Sequence, residues 1–569
     1  MKTPMKKTAD VRAITIAVMT IFSGTPVYAA DQTTVIRNAV IHTIAEHEQK
    51  ADALAIDAKG IIIAVGKDTD VLAKAGSAAR IVDLGGQTVL PGFQDSHVHL
   101  IEAGINEILC AFDQFADLRE IQEAVRACAE ESTGEWILGS GINMPHLLDE
   151  SDNPVAFLDK IEPDRPILIL DDIGHGAWAN SKALQLAGYD KIKGNPAGGI
   201  ILRNAKTGLP NGIVLENAQQ KLRNLAFPDT PENENFAYKS MLPTLKIFAE
   251  NGITTVSDAG GFWPQGHLKA WQTAEKNGTL TVRAFNGLYV YPDMPFDTQL
   301  QKLSSLYSND PTRLLKFNQA KIYVDGILEQ RTGAVLQPYL KGKGIDHGFD
   351  SGFLYFEPDV LTKYAIALTK IGYKLHFHVT GDRGARLALD AIEQADKKAS
   401  PHRLTHLYLL DQADYPRFRK TGTTADFQLA PSSLDPEYIA SSKEFIGERA
   451  NHMMPAASLE KSGALVVMSS DFDADELSPL VKIQAALERP TEGATDIQTA
   501  VKWMTINPAR LLNQDDRTGS LEPGKYADLV VLERDIFDMP VNEIGDVAVK
   551  ATLLQGKPVY DADGIFTNQ

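Results

Sequence analysis

Short apolar runs rich in β-branched residues alternate with longer amphipathic stretches through the middle of the chain. Stretches such as EPDVLTKYAIALTKIG repeat their apolar residues at helical spacing. Eight runs have the composition of strands: the run that ends at His99, then residues 252–260, 281–291, 317–326, 373–381, 403–410, 423–430 and 464–472. Eight strands that alternate with helices predict an α/β fold, a (β/α)8 or TIM barrel.

The two ends of the chain have a different pattern. TVIRNAVIHTI near the start and ADLVVLERD near the end are short strand-like runs between Gly and Asp residues. We therefore predict that residues 31–90 and 512–569 form one composite β-sandwich domain. Residues 91–511 form the predicted barrel, with an insertion subdomain at about 110–250, after the first barrel strand.

The first thirty residues differ from the rest of the chain. Four basic residues precede the apolar stretch AITIAVMTIF, and small residues follow it up to Ala29 and Ala30. This pattern predicts a signal peptide over residues 1–30 and an exported protein, periplasmic or secreted. A membrane anchor is the alternative, but about ten apolar residues are too few to cross roughly 30 Å of hydrocarbon.

Composition narrows the function classes. Of 569 residues, 44% are hydrophobic and 23% are charged, which is typical of a globular protein. A net charge of −18 repels phosphate backbones, so a small-molecule substrate is expected and nucleic acid is not. No later segment is long and apolar enough to hold the mature chain in a membrane, and a homo-oligomer is left open.

The chain has two cysteines, Cys110 and Cys128, in a region that reads as helical. On one helix, eighteen residues would set them about 27 Å apart, too far for a bond between them. We therefore predict two buried apolar thiols and no structural disulfide.

The segment PGFQDSHVHL places an aspartate and two histidines directly after an apolar run. His97 and His99 are two positions apart, so on a strand both imidazoles project from the same face. His378, His406 and Asp471 also lie in or at the ends of predicted strands. In such a barrel the catalytic groups sit at the carboxyl ends of the strands. Imidazole and carboxylate ligands together predict a divalent metal, zinc in particular.

Several ordered motifs carry a resemblance to a known family: LPGFQDSHVHL, NGITTVSDAG, KIYVDGILEQRTGAVLQPY, HVTGDRGARLALDAI, MSSDFD, and NPARLL followed by GSLEPGKYADLVVLERD. Over these segments the mature chain resembles the amidohydrolase superfamily, specifically amidohydrolase family 3 and its YtcJ-like group, which includes N-substituted formamide deformylases. The resemblance implies a distorted TIM barrel with a β-sandwich built from both termini and a metal-dependent hydrolase activity.

The resemblance also implies a metal centre of one or two ions, held by His97, His99, His378, His406 and Asp471. The family's H-x-x-G-D pattern matches His378. His376, two positions earlier, is therefore expected deeper in the barrel as a packing residue.

The family further implies that Lys321 is carboxylated and bridges two metal ions. That chemistry needs an amine made neutral by burial before it captures carbon dioxide. The alternative is a plain ammonium that pairs with Asp325 or another carboxylate.

The expected reaction is hydrolysis of an amide-like C–N bond by metal-activated water, with Asp471 as the proton acceptor and donor. One alternative keeps the fold but hydrolyses a cyclic amide, an ester or a carbamate. Another is a non-catalytic periplasmic binding or regulatory protein, which an intact set of buried ligands argues against.

Three residues are candidates for substrate binding. Arg331 could clamp a substrate carboxylate, with a surface or interface salt bridge as the alternative role. His175 matches a family position, although a capping or core histidine is also plausible. Trp263, in GGFWPQG, is expected at the barrel mouth.

Overall fold

The computed structural model describes residues 32–47, 51–132, 134–151, 153–341 and 345–567. The predicted signal peptide, residues 1–30, lies outside this part of the chain. Within the described ranges, none of the helices combines the length and the apolar character needed to cross a membrane.

The strands of the described residues fall into three sheets. In chain order they are β1 (Thr34–Ile41), β2 (Ala51–Ile56), β3 (Ile62–Gly66), β4 (Arg80–Asp83), β5 (Thr88–Pro91), β6 (Phe93–Val98), β7 (Cys110–Ala111), β8 (Ile137–Ile142), β9 (Ile167–Asp171), β10 (Gly176–Ala179), β11 (Gly199–Arg203), β12 (Pro210–Glu216), β13 (Ile253–Gly261), β14 (Arg283–Tyr289), β15 (Leu315–Tyr323), β16 (Lys374–Val379), β17 (Arg403–His406), β18 (Thr424–Phe427), β19 (Leu465–Met468), β20 (Leu529–Leu532), β21 (Val549–Leu554) and β22 (Lys557–Asp561).

The α-helices of the described residues lie between these strands. They are α1 (Asp68–Ala75), α2 (Leu100–Asn106), α3 (Leu118–Glu131), α4 (Met144–Glu150), α5 (Pro154–Ile161), α6 (Ser181–Leu186), α7 (Asn217–Ala226), α8 (Pro231–Glu250), α9 (His267–Asn277), α10 (Phe296–Leu306), α11 (Pro358–Ile371), α12 (Asp382–Gln394), α13 (Tyr415–Thr421), α14 (Pro436–Ile446), α15 (Ala456–Lys461), α16 (Pro479–Glu488), α17 (Ile497–Trp503) and α18 (Ile506–Leu511).

Strands β6 and β13 to β19 form one eight-stranded parallel sheet, arranged in chain order. Every residue of β13 and β16 is buried, because helices cover the outside of the barrel and side chains fill its inside. The last strand returns to the first, where the amide of Asp471 donates to the carbonyl of His97 (2.8 Å). The amide of His99 donates to the carbonyl of Phe472 (2.7 Å). The predicted TIM barrel is confirmed, and each of its eight strands overlaps one of the predicted runs.

A second eight-stranded sheet is built from both ends of the chain, in the order β22-β21-β20-β5-β1-β2-β3 with β4 beside β1. Strand β5 joins the two halves, since it pairs antiparallel with β20 and places Leu90 opposite Val530. This composite sheet is tied to the barrel by a buried ion pair, in which Nε of Arg283 lies 2.6 Å from Oδ2 of Asp528.

The third sheet, ordered β11-β12-β10-β9-β8-β7, is inserted between the first barrel strand, β6, and the second, β13. It has its own apolar core around Trp178, Ile169 and Leu215. The loop after β9 and helix α7 reach the cavity at the barrel mouth, so this sheet supplies side chains to the candidate site.

The prediction that the chain has no disulfide is wrong. Cys110 and Cys128 are bonded, with their Cα atoms 6.1 Å apart. The error came from placing both residues on one helix. Cys110 instead lies in the short strand β7, and the chain turns back before Cys128 in helix α3, which brings the two sulfur atoms together.

Candidate metal centre

Five of the predicted ligands gather at the carboxyl ends of the barrel strands. His97 lies in β6, and His99 is the first residue after that strand. Side chains two residues apart on a strand point to the same face, so both rings project to one side. His378 lies in β16 and His406 is the last residue of β17. Asp471 follows β19, and its backbone hydrogen bond to His97 fixes its position beside the first strand.

The Asp471 carboxylate lies among the histidine rings. Its Oδ1 atom is 3.1 Å from Nε2 of His97 and 3.5 Å from Nε2 of His99, and its Oδ2 atom is 3.8 Å from Nδ1 of His406. One ligand atom from each of His97, His99 and Asp471 lies within 4.8 Å of the others. This spacing suits ligands of one cation.

The protonation states of three of the four histidines also fit a metal ion, whereas, against the effect of burial, Glu102 and Asp471 raise the pKa of His99. Burial lowers the pKa of His406 to about 3, and it lowers the pKa of His97 and of His378 well below the usual range. These rings are therefore neutral, and a neutral imidazole has a lone pair to donate. Burial alone would raise the pKa of Asp471, but the neighbouring histidines and lysine lower it below its usual value.

Hydrogen bonds fix which nitrogen atom each ring can offer. His406 donates from Nδ1 to the side-chain oxygen of Gln428 (2.8 Å), which leaves the buried Nε2 atom with a lone pair and no hydrogen-bond partner. His378 donates from Nε2 to the carbonyl of Gly326 (3.2 Å), which leaves Nδ1 as its acceptor atom. A buried nitrogen without a partner is costly unless something else occupies its lone pair, so this donor set fits a divalent metal.

Lys321 projects from β15 into the same group, and its Nζ atom is 3.2 Å from Nε2 of His97. The side chain is fully buried. Burial lowers the pKa of Lys321 to about 7, although the charge of Asp471 opposes the shift. A large fraction of this amine is therefore neutral near neutral pH.

His376 lies below the cluster, in the layer where the sequence places it as a packing residue. It also makes polar contacts that the sequence did not predict. Its Nε2 atom is 2.9 Å from Nδ1 of His97, and Arg403 donates to its Nδ1 atom (2.8 Å). His376 therefore orients the ring of His97 from the side away from the cavity.

The backbone is left-handed at two residues of the cluster and at one neighbour. His406 has φ 80°, Leu407 has φ 48° and Asp471 has φ 58°, all in the left-handed region that residues other than glycine rarely adopt. Each such residue costs on the order of 1–3 kcal/mol and persists where the surroundings hold it. The packing around the cluster therefore holds His406 and Asp471 in these conformations.

His175 comes from the insertion and faces the cluster from above. Its ring centroid is 4.9 Å from that of His378, and its Nδ1 atom is 2.6 Å from Oε2 of Glu216, at the end of β12. Burial opposes the charged form of His175, but the Glu216 carboxylate outweighs it and raises the pKa of His175. The imidazolium is a hydrogen-bond donor at the cavity wall.

The other two candidates for substrate binding lie further away. Trp263 donates from its indole nitrogen to the carbonyl of Tyr289 (3.1 Å) and packs on Tyr291. Arg331 lies over the ring of Tyr339, 5.7 Å from its centroid. Neither lines the two cavities next to the cluster, and their roles in binding stay predictions.

Two cavities of about 680 and 980 Å³ flank the cluster, and His175, His378, His406 and Asp471 line both. Sequence reasoning missed Glu102, Asp171 and Arg223, which line the smaller one. Glu102 lies one helical turn after His99, a spacing that could have identified it. The other two residues carry no such signal.

A parallel barrel with imidazole and carboxylate donors at the carboxyl ends of its strands defines a metal-dependent hydrolase. The chain belongs to the amidohydrolase family, whose sequence profile matches residues 80–560. The resemblance seen in the sequence motifs is thus confirmed.

Two relatives match over nearly the whole chain. N-substituted formamide deformylase from Arthrobacter pascens is 26% identical over 555 residues, which cover 93% of this chain and 98% of the relative. Protein LONG AFTER FAR-RED 3 from Arabidopsis thaliana is 27% identical over 566 residues, covering 92% of this chain and 91% of the relative.

A solved structure has the same fold. An uncharacterized metal-dependent hydrolase from Pyrococcus horikoshii superposes with a TM-score of 0.69 at 24% sequence identity, covering 90% of this chain and all of that one.

Proposed function

We propose that this protein is an exported, metal-dependent amidohydrolase that hydrolyses an amide-like C–N bond of a small molecule. The observation that carries the proposal is the position of Asp471, a half-buried carboxylate between His97, His99 and His406 that lines both cavities. Similarity to the deformylase from Arthrobacter pascens supports a C–N bond as the target.

The residues that would hold the metal are His97, His99, His378, His406 and Asp471. We infer zinc, because neutral imidazoles with a carboxylate are a common zinc ligand set. Bound there, the ion supplies a positive charge that polarises a carbonyl oxygen and lowers the pKa of water towards about 7.

Asp471 moves the proton in this scheme. Its lowered pKa keeps it ionised at neutral pH, so it accepts a proton from the attacking water molecule. The oxygen of that water bonds to the carbonyl carbon, and the C–N bond breaks. Asp471 then delivers the proton to the leaving nitrogen, and the site returns to its starting state.

His175 binds the substrate from the opposite wall. Its pairing with Glu216 holds the ring and leaves Nε2 to donate a hydrogen bond into the cavity. We infer that this bond orients the carbonyl oxygen and stabilises the negative charge that develops on it.

We further propose that Lys321 is carboxylated. The neutral amine adds to carbon dioxide and loses one proton, which gives an anionic carbamate. Burial and a pKa of about 7 support this step, because the amine must be neutral to react. The carbamate would also remove a positive charge from beside His97 and provide an oxygen ligand for a second ion.

Export remains part of the proposal. The Cys110–Cys128 disulfide supports it, because disulfides persist in oxidising compartments such as the periplasm.

The test is a screen of purified protein, loaded with zinc in the presence of bicarbonate, against N-formyl amines, N-acyl amines, cyclic amides, esters and carbamates. We expect turnover of open-chain amides, loss of turnover after chelation and recovery when zinc is returned. Turnover of esters or cyclic amides alone would refute the assigned bond class. Full activity after rigorous chelation would refute the role of the metal.

A further inference from the structure

The smaller cavity contains a buried guanidinium that the proposed reaction does not use. Arg223 lies on helix α7 of the insertion and is 8% exposed. Its guanidinium carbon lies over the ring of Phe262, 5.1 Å from the centroid. It shares the cavity with His99, His378 and Asp471, so a ligand at the candidate metal centre would lie within its reach.

Apart from the ring of Phe262, this guanidinium has no hydrogen-bond or ion-pair partner within the described part of the chain. No carbonyl or carboxylate accepts a hydrogen bond from it, and the Nε atom is fully buried without an acceptor. A buried, unpaired positive charge is strongly unfavourable, and an arginine that serves only stability would be expected to have a carboxylate beside it.

Among the described residues, five carboxylates line the same cavity, those of Glu102, Asp171, Asp172, Asp471 and Asp473, and none of them forms an ion pair with Arg223. Glu102 is the one whose pKa the charge of Arg223 helps to lower. Its closest charged contact is instead Nδ1 of His99, at 3.8 Å. It forms no ion pair with Arg223, and both of its oxygen atoms are buried without a hydrogen-bond donor. The guanidinium is therefore left available to a ligand.

We propose that Arg223 binds a carboxylate or similar anionic oxygen group of the substrate, so that the hydrolysed amide is an N-acyl compound carrying an acid group. The planar fork of a guanidinium matches the two oxygens of a carboxylate. Arg223 is the one arginine or lysine among the described residues that line either cavity beside the centre. This inference rests on the proposed function.

The larger cavity, on the other side of the centre, accounts for the rest of the substrate. Apolar and aromatic side chains line it, among them Ile327, Tyr408, Tyr438 and Met454, and the described part of its wall has no arginine or lysine. The acid group therefore belongs in the smaller cavity beside Arg223, and an apolar or aromatic group of the same substrate in the larger cavity.

The test uses substrates that differ only in the acid group. N-formyl and N-acetyl derivatives of phenylalanine, leucine and methionine are compared with the same derivatives of the corresponding decarboxylated amines. We expect kcat/KM of the wild-type protein to favour the acids by roughly 10- to 100-fold, the range for a hydrogen bond to a charged group. In Arg223→Met this preference should fall to about one, mainly through KM, and Arg223→Lys should recover part of it.

The matched control is Lys221→Met, which removes the same charge from the exposed side of the same helix and should keep the wild-type preference. A wild-type protein that hydrolyses the neutral amides as well as the acids would overturn the inference and leave the proposed function intact. If Arg223→Met prefers the acids over the neutral amides as strongly as the wild type does, the inference is also overturned and the proposed function is unaffected.

Calorimetry separates the two proposals if no amide is turned over. N-formylphenylalanine is titrated into Asp471→Asn and into the double variant that also carries Arg223→Met. Binding that only the double variant loses supports the role of Arg223 even if the proposed function fails. Equal binding, or no binding to either protein, refutes it.

Discussion

Replacing Asp471 with asparagine exchanges one carboxylate oxygen for an amide NH₂ group and leaves the shape of the site in place. The pKa of this carboxylate lies below its usual value, so it is ionised at neutral pH. Asparagine occupies the same volume and keeps one oxygen close to His97 and His99. It cannot accept and return a proton, so Asp471→Asn separates proton transfer from packing.

The expected loss follows from the two steps that Asp471 serves. Proton transfer by a positioned side chain contributes roughly 10²- to 10⁴-fold to a rate. Because the same carboxylate acts first as base and then as acid, we expect the upper part of that range, a fall in kcat of about 10³- to 10⁴-fold. This equals about 4–5.5 kcal/mol of transition-state stabilisation. KM should change little, since Arg223 and His175 still bind the substrate.

The assay is steady-state hydrolysis of the best amide from the screen, with metal content measured on the same sample. Asp473→Asn is the matched control, because this nearby carboxylate lies at the edge of the same cavity and accepts a hydrogen bond from Asn106 instead of contacting a histidine. It should lose less than about tenfold. An Asp471→Asn protein that keeps its metal and more than about a tenth of its activity would refute the proton-transfer role. A variant that has lost its metal would show that the residue acts chiefly as a ligand.

Three further predictions concern stability. Burial raises the pKa of Asp171 to about 7. The folded protein therefore keeps a proton that the unfolded chain has released, and stability falls as pH rises from about 4 to about 7. In Asp171→Asn the free energy of unfolding, measured with urea at about pH 5 and about pH 8, should fall less between the two pH values than in the wild type. An unchanged pH dependence would contradict a raised pKa for Asp171. Replacing Cys110 and Cys128 with serine opens a loop with a sequence separation of 18 and should cost about 3 kcal/mol in the free energy of unfolding; an unchanged melting temperature would argue against it. Asp528→Asn leaves the buried guanidinium of Arg283 without its anion and should cost about 3–5 kcal/mol, and a double variant that makes both positions apolar should recover much of the loss.

The barrel could be predicted because its strands are buried on both faces. Such strands read as continuous apolar runs, and the loops between them contain enough Gly, Pro and Asp to separate one run from the next. The candidate metal ligands were chosen by the same reasoning, since the carboxyl ends of parallel strands meet at one edge. His97 and His99 also share a strand, so their spacing alone identifies a common face.

The disulfide and the buried polar residues depend on tertiary contacts that no local pattern contains. Cys110 lies in a strand of two residues, too short to recognise beside a helical stretch. Arg223 lies in an ordinary helical segment, and only the folding of the insertion over the barrel mouth buries it. When an insertion supplies residues to a site in another domain, no regular sequence spacing relates them to the other residues of that site, so the sequence does not identify them.

The backbone hydrogen bonds between His97 and Asp471 join the beginning of the barrel to its end. A nascent chain can therefore have most of its barrel strands in place and still be unable to hold an ion. His97 and Asp471 come together only when the last strand of the barrel pairs with the first. If the chain crosses a membrane unfolded, as the export proposal implies, it reaches the far side without its metal. Zinc would then be drawn from the supply outside the cytoplasm, and scarcity there would limit how much of the secreted protein becomes active.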